Sequence, residues 1–187
     1  MHIRTAGIIA ILTTWSAAHA QAPKAQTPPS FMGPCSTLTC EIQNDWSRNN
    51  AMLYGLADAM PENKYTFKPT PEQQTFGERV LHVAQINVML LQSLGAKTPA
   101  PAVDPKATSK KDSMAALQNV GEYGVAVIKE FGDQQLVGRV ASLPFMGPMS
   151  TRQRILYFLM THSQDTYGQL AVYLRLNGIT PPLSRQP

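Results

Sequence analysis

The run from His162 to Pro182 constrains the fold more than any other part of the chain. Placed on a helix, it sets His162, Thr166, Gln169 and Tyr173 on one side, because residues three and four apart share a face. Ile155 and Leu159 continue that stripe toward the N-terminus, so its polar members lie on a face that otherwise points into a core. Asn177-Gly178, with Pro181-Pro182 just beyond, stops the helix. Polar residues on an inward stripe make either a site or a satisfied buried network.

The rest of the chain supplies partners for such a helix. A first helix is expected from Thr37 or Glu41 to Met60, with Ile42, Trp46, Leu53, Leu56 and Met60 as its apolar stripe and Pro61 ending it. Thr75 with Glu78 three residues on reads as a capping box for a second helix, which runs to Leu94 and stops at Gly95. A third is expected to be capped by Asp112 or Ser113 and to end near Phe131-Gly132. Gly121 and Gly124 interrupt its stripe at about 1 kcal/mol each, which points to close approach by another helix or a ligand. The fourth starts near Ser150 or Thr151 and ends at Asn177. Between the second and third helices, Ala96 to Lys111 is long enough to cross from one end of a bundle to the other. Residues 136–149 are ambiguous: Val137, Val140 and Leu143 suggest a short strand, but Pro144, Gly147 and Pro148 break anything longer. Without a convincing alternation of strands, the expected fold class is all-α, a four-helix bundle with a long connection between helices two and three.

The first twenty residues read as a signal peptide. Arg4 gives a positive n-region, Ala6 to Trp15 an apolar stretch, and Ala18-His19-Ala20 a cleavage signal. The expected product is exported from a bacterial cell, periplasmic or secreted, starting at Gln21 and with no stable membrane anchor after cleavage. Residues 21–36 read as a disordered, Pro/Gln/Ala-rich leader, and 37–187 as the bundle domain. Cleavage removes His2 and His19, leaving His82 and His162, and loss of Arg4 lowers the formal charge from +4 to +3. No dense Lys/Arg patch accompanies that charge, so nucleic acid is not an expected partner. Cys35 and Cys40 are the only cysteines, and in an exported chain they read as a local disulfide.

His82 falls in the middle of the second helix and His162 in the middle of the fourth, and bundle metal sites are built from such facing side chains. Two neutral imidazoles hold a divalent metal only weakly, and a catalytic zinc usually takes three protein ligands. The residue four after His162 is Thr166. Asp165 is the nearest carboxylate, and either of these is at best a weak third ligand. Gln85, Met89, Gln169 and Tyr173 are expected to line the same cavity. A bound zinc or nickel ion, a metal-free polar pocket for a small molecule, and a purely structural network all fit these residues, and a homodimer is compatible with them.

Several short elements occur in order: Asp45-Trp46, Ala59-Met60-Pro61-Glu62-Asn63-Lys64-Tyr65-Thr66-Phe67-Lys68-Pro69, Thr75-Phe76-Gly77 with His82, and Tyr167-Gly168-Gln169-Leu170 through Pro182. On these the chain resembles, over residues 40–182, the DinB-like family of four-helix bundles, related to YfiT-type metal-dependent hydrolases and bacterial thiol transferases. The resemblance implies a divalent metal held by three histidines, one on helix two and a pair four apart on helix four. His82 matches the first, His162 the second, and Thr166 stands at the third. It further implies metal-activated water or thiol chemistry on a small molecule. The other expectation is a non-catalytic bundle that binds a small ligand or a protein partner without metal.

Overall fold

A computed structural model describes residues 34–185. The expected signal peptide, and the expected leader up to residue 33, lie outside the described residues. Four long helices dominate: α1 (Leu38–Ala59), α2 (Phe76–Gln92), α3 (Lys110–Lys129) and α5 (Arg152–Leu176). Between α3 and α5 come a single helical turn, α4 (Asp133–Leu136), and two short antiparallel strands, β1 (Arg139–Ala141) and β2 (Met149–Thr151). The architecture is an all-α bundle carrying one small hairpin.

Contacts at the helix ends give the topology. Lys110 Nζ donates to the Asp58 and Met60 carbonyls, so α3 starts where α1 stops. Arg152 Nε donates to the Leu94 carbonyl, so α5 starts where α2 stops. The connection after α2 therefore crosses the length of the bundle, and α2 and α3 run parallel to each other and antiparallel to α1 and α5. Each helix packs on two neighbours: α1 and α2 both contact α3 and α5. Both members of the α2–α5 pair bury one stripe, with Val83, Asn87 and Leu90 on one side and Leu159, Ser163 and Thr166 on the other.

Local sequence sets the helix ends. The Thr75 hydroxyl accepts from Glu78 N, and the Glu78 carboxylate accepts from Thr75 N at 2.7 Å, the reciprocal cap expected of that spacing. Helix α3 begins earlier than expected, because Ser109 rather than Asp112 is the cap and Asp112 N donates to its hydroxyl at 3.1 Å. The first turn of α1 is held from afar, with Asp133 accepting from Leu38 N and Thr39 N. The Cys35 sulfur, before α1, and the Cys40 sulfur, in its first turn, stand at bonding distance, 2.04 Å. After α5, Gly178 takes a positive φ of 70° where the helix stops.

Gly121 and Gly124 are where α1 and α3 touch. An added Cβ on Gly124 would overlap the Trp46 indole, and one on Gly121 the Asn50 amide. The buried indole Nε1 donates to the Gly121 carbonyl at 2.9 Å. A neighbouring helix, not a ligand, explains both glycines. Residues 136–149 resolve into the end of α4, β1 and the loop leading to β2. Only Val140 of the apolar residues expected to form a strand lies in one. Among the described residues no helix is long and apolar enough to cross a membrane.

Candidate functional site

The antiparallel packing of α2 on α5 brings His82 and His162 together. Their ring centroids are 5.4 Å apart and their planes are inclined at 59°. Both side chains are half-buried, whereas Thr166, one turn after His162, is 1% exposed. Just below the pair the two helices are joined by a buried hydrogen bond, Ser163 Oγ to Asn87 Oδ1 at 3.1 Å. The pair thus sits on a rigid, polar but closed seam.

Charge around the pair favours neutral rings. Burial lowers the pKa of His82, and the Arg79 guanidinium one turn earlier on α2 lowers it further. For His162 burial again comes first, followed by repulsion from His82; Asp165 pulls the other way, and Arg79 adds a smaller lowering. A neutral imidazole carries one N–H donor and one acceptor nitrogen. Among the described residues the buried Nδ1 of His162 has no hydrogen-bond partner, and neither has the buried Nε of Arg79. A buried ring nitrogen without a partner leaves one interaction for a bound group to satisfy.

On its outer side His82 lines a groove of about 420 Å³. Gln85, Glu78 and Leu81 of α2 share that wall, and Lys68, Gln73 and Gln74 of the preceding connection face them. The groove is therefore a polar approach to His82 from the end of the bundle where α2 begins; His162 is not on its wall.

The remaining expected site residues are placed individually. Gln85 joins His82 in the groove wall. Met89 is half-buried two turns farther along α2 and is not part of that wall. Gln169 is spent on α5 itself, donating to Asp165 Oδ2 at 2.7 Å on the outer surface. Tyr173 belongs to the core: its ring packs on Phe67 and Phe76, and its hydroxyl donates to the Gln74 carbonyl at 2.8 Å, fixing the groove from beneath. A helical stripe tells which side a residue takes, but the neighbours met along that side change over two turns, from α2 at His162 to the aromatic connection at Tyr173.

The donor set can be tested against a divalent ion. His82 and His162 supply two imidazoles, and the orphaned His162 Nδ1 is a free acceptor or donor. Thr166 adds only a hydroxyl, and Asp165 is engaged with Gln169. Among the described residues no three His, Cys, Asp or Glu side chains come together as a metal-holding group. Two imidazoles do not make the three-ligand centre that a catalytic zinc needs. Arg79 and the Asn87–Ser163 bond were not expected from the sequence. The three-residue spacing that put Gln85 beside His82 also reaches back to Arg79, so that signal was present; Asn87 hides in an apolar stripe.

The sequence matches the family model described as the DinB superfamily over residues 45–170. No curated protein matches it. Among solved structures, a DinB-like protein from Bacillus cereus superposes with a TM-score of 0.68 at 19% identity, covering 78% of this chain and 96% of that one. A DinB-like protein from Bacillus subtilis gives 0.60 at 19% identity, with coverage of 75% and 94%. At that identity the likeness is one of fold.

Proposed function

The chain belongs to the DinB superfamily, and from that premise we propose that it is an exported member whose site has lost one of three metal ligands and binds a small polar molecule through the remaining histidine pair. The observation that carries this reading is the pair itself: two half-buried imidazoles 5.4 Å apart, with a buried threonine one turn away. Each ring offers one donor and one acceptor, and together they match a ligand that presents both within a few ångströms. The groove beside His82 is the way in, and Gln85 and Gln74 on its walls add amide contacts.

Export is supported by the n-region, short apolar stretch and Ala18-His19-Ala20 of the first twenty residues. Cys35 and Cys40 at bonding distance fit an oxidising compartment.

A second reading keeps a divalent ion, zinc or nickel, bound weakly by His82 and His162. The unpartnered Nδ1 of His162 favours it. The superfamily's hydrolase or thiol-transferase chemistry would need a third protein ligand that this donor set does not supply, so no catalytic step follows from the residues present.

Elemental analysis of protein purified without a histidine tag separates the two. Metal well below one ion per chain supports the ligand-binding reading; a stoichiometric ion lost on His162→Ala supports the second.

A further inference from the structure

At the end of the bundle opposite the groove, where α2 and α3 stop and α5 starts, the β1–β2 hairpin presents an apolar tip. The register pairs Ala141 with Met149 and Val140 with Ser150. Ser150 is buried, so the opposite face of the ribbon, with Arg139, Ala141 and Met149, points outward. Phe145 is 61% exposed and Met149 43%. The Phe145 ring is steadied from below by Phe158 of α5, centroids 5.3 Å apart. Next to it Gly147 has a positive φ of 89°, and a Cβ built there would meet nothing within 4 Å, so the loop projects into open space.

The segment that builds this tip carries charge of one sign, while Glu130 and Asp133, at the adjoining end of α3 and start of α4, are each bound by backbone N–H groups. From residue 134 to residue 164 the chain holds Arg139, Arg152 and Arg154 and no aspartate or glutamate. None of the three arginines has a carboxylate partner among the described residues. Arg154 anchors the loop by donating to the Met146 carbonyl at 2.8 Å. Asp133, the nearest acid in sequence, is occupied by Leu38 N and Thr39 N.

We propose that this hairpin tip is a docking surface for an anionic phospholipid bilayer. An exposed aromatic and a methionine on a projecting loop can enter the headgroup boundary while the exposed Arg139 and Arg154 meet lipid phosphates; Arg152 is half-buried, stacked on Phe131 and bonded to the Leu94 and Gln135 carbonyls. A second copy of the chain fits less well, because a two-fold interface through this tip would bring two basic patches together with no carboxylate from the segment between them. The contact is peripheral and reversible, built from one loop and screened by salt.

Cosedimentation of the purified chain with vesicles of phosphatidylcholine alone, or of phosphatidylcholine with phosphatidylglycerol, tests this. Wild type is expected to partition at least about tenfold more strongly to the anionic vesicles, and to lose most of that gain in high salt. Phe145→Ser combined with Met149→Ser is expected to reduce binding at least about tenfold. Arg139→Gln, which removes an exposed charge together with its long bond to the Met149 carbonyl (3.4 Å), is the second arm and is expected to reduce it about fivefold. All chains share the same N-terminus, so the differences report on the hairpin. Equal partition to neutral and anionic vesicles, or variants that bind like wild type, would overturn the proposal. So would a wild-type dimer that dissociates in the double variant without any vesicle binding.

Discussion

His82 and His162 face each other from α2 and α5 with ring centroids 5.4 Å apart, and no third metal-binding side chain joins them among the described residues. Antiparallel packing of two long helices puts the rings in register, and burial beside Arg79 holds both toward the neutral form.

That electrostatic setting fixes a pH dependence. Both folded-state values lie below the ordinary 6.5. As pH falls through about 6.5 the unfolded chain takes up protons that the folded pair resists, so stability is lost on acidification and fully present above that value. Urea unfolding at pH 8 and pH 5.5 should show a lower midpoint at the acid pH. Replacing both histidines with glutamine should shrink that difference. An unchanged difference would place the sensitivity elsewhere.

The contact between α1 and α3 makes a second expectation. Gly124→Ala forces a methyl against the Trp46 indole and should cost about 1–3 kcal/mol, as overpacked cores do. Gly168→Ala is the control. It lies on the exposed side of α5 with nothing within 4 Å of its Cβ, and should stabilise by about 0.5–1 kcal/mol. Thermal unfolding of both variants should move in opposite directions.

The contrast between those glycines also shows how much the sequence exposes. Gly121 and Gly124 sit in an apolar stripe, and their spacing showed that something comes close there, a helix or a ligand; only the packing of Trp46 and Asn50 decides for the helix. The Thr75–Glu78 cap and the stop at Asn177-Gly178 were legible because each is a local hydrogen-bonding problem with a local answer. Ser109 outcompeted Asp112 as a cap because either side chain can serve, and only the crossing connection decides where the turn begins. The hairpin is three residues a side, too short for periodicity to register, and its pairing is set by packing on α5. At the site, helical spacing found the two histidines, but it could not show that Gln169 would turn to Asp165 or that Tyr173 would meet Phe67 and Phe76.

Export carries its own check. Mass spectrometry of the native protein should give a chain that begins at Gln21, and thiol titration of the unfolded, unreduced protein should find no free cysteine. Cys40→Ser should lower stability by at most about 2 kcal/mol, because the bridge closes so small a loop. An intact Met1 or two free thiols would contradict the reading.

The measurement that bears most directly on the proposed loss of a ligand is a calorimetric titration of wild type and Thr166→His with zinc. Thr166 lies one turn after His162 on the buried face of α5, and on the proposed reading an imidazole there would complete a set of three. The titration should give weak binding for wild type and an affinity at least about tenfold higher for Thr166→His, equivalent to about 1.4 kcal/mol, with the gain abolished by adding His162→Ala. Equal affinities for the two proteins, or tight stoichiometric zinc in wild type, would contradict a site that has lost one of its three ligands.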